Sequence, residues 1–278
     1  MRIPFHGGTK ARETDDPRRR EAAGAESSEV RAVCIEPSHL AGLWRRTLLV
    51  DEHGREDVTT DVVWLQGRGV YVDLRRPSGR PSFDSVRGLR DLSYDQVRWM
   101  ATQEAFAGRL VDRGQYVEWT RCIDLHPPGP TPDAGTLSRE HGLLVERGWH
   151  SDYVEHWQPE PGDSEPVWAR ELVDESTGVR AAVIRVGSRF GWARGRSCAF
   201  VGEPLADALD AAGSLDAAQD LVDVEVSVGT VTGDAWTVVA STLPFRENAV
   251  LDLTFADNTV TTRRRTWAVT HAEGEVAV

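Results

Sequence analysis

Residues 61–77 read DVVWLQGRGVYVDLRRP. Two extended runs flank Gly67-Arg68-Gly69, which suits a β-hairpin with a glycine turn. Alternation divides the side chains into two sets. One side carries Trp64, Gln66, Tyr71, Asp73 and Arg75; the other carries Val63, Leu65, Val70, Val72 and Leu74. A water-facing side seldom collects an indole and a phenol among its charges, so sidedness decides what this hairpin builds. Two readings stay open. Facing inward, the aromatic-charged side walls a cavity. Facing outward, it decorates a barrel flank or a domain interface, and the valine-leucine side is the core.

The pattern on either side is mostly strands. LWRRTLLV (43–50) runs into the turn Asp51-Glu52-His53-Gly54, and YVEWTRCID (116–124) follows the turn Asp112-Arg113-Gly114. GLLVERGWH (142–150) and DYVEHWQ (152–158) come next. One helix interrupts them. Ser93 and Gln96 form a capping box before YDQVRWMATQEAFAG (94–108), where Leu92, Val97, Met100, Ala101, Ala105 and Phe106 fit one apolar stripe.

QPEPGDSEP (158–166) reads as a linker, and beyond it the pattern recurs. Trp168-Ala169-Arg170-Glu171-Leu172 echoes Trp44-Arg45-Arg46-Thr47-Leu48, and each leads into an Asp-Glu turn that ends at a glycine. Two more strands (179–187 and 189–194) follow, then a helical stretch over 204–222 with a break near Gly213. VDVEVSVGTV, AWTVVAST, AVLDLTFA and TVTTRRRTWAV read as antiparallel strands. The expectation is a mainly β chain: two tandem antiparallel β-barrels, each with one helical insertion, over 34–160 and 161–278. Closure removes the exposed edges that such short strands would leave. Residues 1–33, poor in large apolar side chains, are expected to be a flexible N-terminal arm.

WLQ and YVDLRRP in the opening hairpin, EHWQP at 155–159 and IRVGSRFGWARGR at 184–196 resemble the Hri1-like family of two-barrel proteins, bacterial branch. That resemblance implies tandem lipocalin-like, calycin-type barrels. It carries over no catalytic residue.

Composition narrows the function. A net charge of −12 disfavours a general nucleic-acid binder and docking on anionic membranes. Three distant cysteines without a CxxC pair predict neither a disulfide framework nor a thiolate zinc site. The N-terminal residues lack an apolar signal core and no run reaches a membrane span, so a cytoplasmic protein is expected. GxSxG, HExxH, P-loop and dinucleotide motifs are absent from the sequence, and no cofactor is expected.

The candidate ligand site is the interior of the first barrel. Trp44 with Arg46, Trp64 with Gln66, and Tyr71 with Asp73 and Arg75 share faces, as do Glu146 with His150, and Tyr153 with Glu155 and Trp157. Buried charges must pair, and arginines would suit a carboxylate or phosphate on a ligand. His126, His150 and His156 are candidates for acid–base work beside Glu146 or Glu155, although His150 and His156 differ in strand parity. No histidine or carboxylate spacing recommends a metal site. The function expected is binding of a small amphipathic organic ligand, with catalysis open. The alternatives are a cofactor-independent lyase, isomerase or cyclase in the same cavity, and a protein-interaction module. A homodimer is an open option, with the second barrel as lid or dimer surface.

Overall fold

A computed structural model describes residues 35–276 apart from 201 and 264. The expected arm lies outside the described residues. Strands β1 (Gly42–Val50), β2 (Glu56–Asp57), β3 (Asp61–Gln66), β4 (Val70–Arg76) and β5 (Glu104–Asp112) open the first sheet. β6 (Val117–Asp124), β7 (Ala134–Glu140), β8 (Leu143–Gly148) and β9 (Val154–Pro159) complete it. Each pairs antiparallel with its neighbour, and β1 pairs with both β3 and β9. The sheet therefore closes into a barrel, with the two-residue β2 added beside the far end of β1.

The second sheet runs through β10 (Val167–Val173), β11 (Arg180–Val186), β12 (Arg189–Arg194), β13 (Glu225–Thr232) and β14 (Ala235–Ser241). β15 (Val250–Leu251), β16 (Leu253–Ala256), β17 (Thr259–Thr262) and β18 (Arg265–Glu273) follow. Its two edges, β15 and β16, are separated in sequence by Asp252 alone. This barrel is nearly closed: one interrupted strand pairs with β14 before Asp252 and with β17 after it.

The helical insertions occupy equivalent places. α1 (Tyr94–Met100) lies between β4 and β5; α2 (Leu205–Asp210) and α3 (Leu215–Leu221) lie between β12 and β13. Ser93 caps α1 by accepting from the Gln96 amide while Gln96 accepts from the Ser93 amide, the expected capping box. The helices also meet: Gln219 donates to the Leu92 carbonyl at 2.8 Å, and Tyr94 to that of Leu209 at 2.8 Å.

Sidedness resolves in an unexpected way, because both faces of the opening hairpin are buried. Trp64, Tyr71 and their neighbours point into the first barrel. Val63, Leu65, Val70, Val72 and Leu74 point away from it, into a core that also contains Val167, Ala182, Ile184 and Val228 of the second barrel. β4 lies against β11, β12 and β13. Gly191 makes this approach possible: a β-carbon there would sit 2.5 Å from Val72 Cγ2. The second barrel packs its own indoles inside, with Trp168, Trp192, Trp236 and Trp267 around Phe190. Glu273 ties the barrels together from β18, accepting from the Gly69 amide at 3.0 Å and that of Val70 at 3.3 Å.

Two expectations need correction, and one strand carried no signal in the sequence. The first helix stops at Met100, and 104–112 is strand β5, with Ala105 and Ala107 toward the second barrel and Phe106 inward. Alanine and phenylalanine fit either period, and the need to pair both β4 and β6 decides for the strand. AGTLSRE (134–140) is a ring strand, although its polar composition gives no strand signal. TVTTRRRTWAV is not one strand but the hairpin of β17 and β18.

Candidate functional site

The interior of the first barrel is filled unevenly. Trp64 stacks on Trp44 with centroids 5.9 Å apart and meets Trp157 and Trp119 edge-on at 5.4 and 6.1 Å. Leu110, Leu137 and Leu144 fill the space around them. Three of these four indoles donate to a nearby acceptor. Trp44 Nε1 donates to the Leu40 carbonyl (2.8 Å), Trp64 Nε1 to Gln66 Oε1 (3.0 Å) and Trp157 Nε1 to Glu146 Oε2 (3.0 Å). Gln66 passes the chain on to the carbonyls of Gly67 and Gly69 at the hairpin turn. This half of the barrel is packed core, and an apolar interior of this kind leaves no room for a guest.

The other half is charged. Asp73 faces Trp64 across the β3–β4 pair, and Arg75 reaches back to it with Nε 3.0 Å from Oδ1. Arg75 also donates to Glu155 Oε1 at 3.3 Å, and Arg46 donates to the same oxygen at 2.6 Å. Arg46 is fixed in turn by Asp57 at 2.8 Å. Glu155 Oε2 is buried without a hydrogen-bond partner, as is the Tyr71 hydroxyl. Glu146 stands directly across from Glu155 in the β8–β9 register and accepts from the Tyr153 hydroxyl at 2.7 Å.

Burial dominates the protonation of these groups. It pushes the Asp73 carboxyl up to about 6, against the opposing pull of Arg75. It pushes the Glu146 carboxyl well above the usual carboxylate range, with Glu155 adding to the effect. The Tyr71 and Tyr153 hydroxyls are raised for the same reason, Tyr153 also by Glu146.

A cavity of about 370 Å³ opens at this charged end. Arg75, Arg121, Asp133, Tyr153 and Glu155 form its inner wall, and Leu49, Ser151 and the turn from Asp51 to Arg55 form its rim. The β-bulge between Arg46 and Leu48 shifts strand parity, so Leu49 follows Arg46 to the inside. Arg121 is held by Asp124 at 3.1 Å and by Asp133, with its guanidinium carbon 3.5 Å from the Phe106 ring centre. The rim turn is stiffened by Asp51, which accepts from the amides of His53 and Arg55, both at 2.9 Å. The Arg55 side chain brings that carboxyl down to about 2.

The sequence candidates divide accordingly. Arg75, Tyr153 and Glu155 line the cavity; Arg46, Asp73 and Glu146 are bonded directly to those three. Trp44, Trp64, Gln66, Tyr71 and Trp157 lie in the filled half. His150 does not join them: it is exposed, edge-on to Tyr116, because the strand of Glu146 ends at Gly148 and the alternation ends with it. His126 binds the Gln103 carbonyl instead, at 2.7 Å. Arg121 and Asp133 were missed. Trp119 and Arg121 share a strand face as Trp44 and Arg46 do, so Arg121 was open to the same reasoning; Asp133, in a proline-rich loop, has no such pattern. Among the described residues no group of His, Cys, Asp or Glu is placed to hold a metal ion, and no helix is long and apolar enough to cross a membrane.

Fold and site together define a tandem β-barrel protein whose first barrel is packed at one end and open and charged at the other. The same architecture occurs in the crystal structure of the uncharacterized protein YLR301w from Saccharomyces cerevisiae. The two superpose with a TM-score of 0.53 over 84% of this chain and 98% of that one, at 14% identity, a likeness of fold alone. No family model and no curated protein matches the sequence.

Proposed function

We propose that this protein binds a small amphipathic organic ligand at the charged mouth of the first barrel. One observation carries the reading: a cavity of about 370 Å³, within the range that holds small organic molecules, opens onto Glu155, a buried carboxylate with one unpartnered oxygen. The ligand's apolar part would rest against Leu49 and the Tyr153 ring, and its polar part against Arg75 and Glu155. The finer placement follows as part of the same proposal: a lipocalin-like, calycin-type member of the bacterial Hri1-like branch, acting in the cytoplasm without nucleic acid or membrane.

Native mass spectrometry of gently purified protein tests the reading. The expected result is a stoichiometric small-molecule adduct that is lost on unfolding and weakened in Tyr153→Ala, which removes the ring that the ligand's apolar part rests against. Absence of any adduct, together with no binding from a fragment library, overturns it.

A second reading has a specific observation in its favour. Glu146 and Glu155 face each other, and the former is pushed toward its protonated form, the arrangement of an acid beside a base. A cofactor-independent lyase, isomerase or cyclase would use that pair. Turnover abolished in Glu146→Gln with ligand affinity retained would establish it.

A further inference from the structure

We infer that the ligand of the mouth carries a cationic nitrogen, an amine or a related N–H donor, directed at Glu155 Oε2; this rests on the reading of the mouth as a ligand site. Arginines in a barrel first suggest an anionic guest, but here they are already engaged. Arg75 is held by Asp73 and Glu155, Arg121 by Asp124 and Asp133, and Arg55 by Asp51. Arg46, behind the wall, is held by Asp57 and Glu155. An incoming carboxylate would have to displace a protein carboxylate from each.

Glu155 is the opposite case. Its side chain is 3% exposed, both arginines converge on Oε1, and Oε2 is buried with no donor. A buried carboxyl oxygen without a partner is costly, and a ligand N–H placed against it recovers a hydrogen bond. The surroundings favour the same sign. Glu52, Asp51 and Asp133 line the cavity with Glu155, while Asp73 and Asp124 stand directly behind the arginines. These six carboxylates outnumber the four guanidinium groups of Arg46, Arg55, Arg75 and Arg121. Tyr153 supplies an aromatic wall against which an ammonium group is favourably placed. The overall charge of −12 draws cations rather than anions to the mouth.

Three probes of one shape separate the possibilities: phenethylamine, 2-phenylethanol and 3-phenylpropionate, titrated by ligand-observed NMR at low salt. The wild-type protein should bind the amine at least roughly tenfold more tightly than the other two, with the preference shrinking as salt is raised. In Glu155→Gln the amine should lose about tenfold and the alcohol little. Because loss of Glu155 also frees Arg46 and Arg75, the ranking of probes by the wild-type protein is the primary readout and needs no variant. Equal or tighter binding of the carboxylate overturns the inference and leaves the ligand site standing. Binding of none of the three at millimolar concentration overturns the inference and counts against the ligand site as well.

Discussion

Arg75→Met tests whether the charged half of the barrel is a buried network. The substitution keeps the aliphatic stem but removes the guanidinium that donates to both Asp73 and Glu155. Breaking a buried pair by deleting one partner costs about 3–5 kcal/mol. Arg75 retains 18% side-chain exposure, so some screening applies and about 3 kcal/mol is expected. For a chain of this size that lowers Tm by roughly 6–12 °C. The pH dependence is the sharper signature. Burial already holds the folded Asp73 carboxyl at about 6, and Arg75 is the main influence holding it down. Without Arg75 it rises further. The folded state then keeps a proton that the unfolded chain releases above about pH 4, so stability declines as pH climbs from there through the folded value. In the variant that decline continues beyond the point where the wild type levels off. Urea unfolding at pH 5 and pH 8, followed by tryptophan fluorescence and by circular dichroism, should show a larger loss at pH 8. A loss below about 1 kcal/mol, equal at both pH values, would refute the buried network.

Glu146→Gln should be almost neutral for stability at about pH 4, where burial keeps the folded carboxyl uncharged, as glutamine imitates, and the unfolded chain also holds most of its proton. By the same linkage the variant should gain on the wild type as pH rises from about 4, and a constant offset in urea titrations would contradict this. Trp64→Ala should cost about 3–5 kcal/mol by opening a void among three other indoles, and denaturant midpoints measure it. Gly191→Val should destabilise by about 1–3 kcal/mol by forcing the barrels apart at Val72. Val72→Ala should recover part of that loss in the double variant, and additive losses would place the clash elsewhere.

Much of the architecture was legible because it repeats. The tryptophan that opens each barrel, Trp44 and Trp168, lies inside its own barrel, and the glycine-ended turn follows each first strand. The break between α2 and α3 and the capping box of α1 were equally plain. Residues 104–112 were not, since an alanine-rich strand looks locally like the continuation of a helix. Part of the site was legible as alternation: Arg75, Tyr153 and Glu155 do reach the cavity wall. Asp133 reaches it from a loop, and Leu49 through a bulge, and period-two reasoning has no access to either.

The opening hairpin shows where the sequence stops. Alternation sorted its side chains into two faces without error, since successive side chains of a strand must point to opposite sides. It gave no direction to either face, because a strand's two sides are equivalent until something is packed against them. Closure of β1 onto β9 turned Trp64, Asp73 and Arg75 into an interior, and docking of the second barrel turned Leu65 and Val72 into another. Both are contacts between residues far apart in the chain, and only the tertiary structure could supply them.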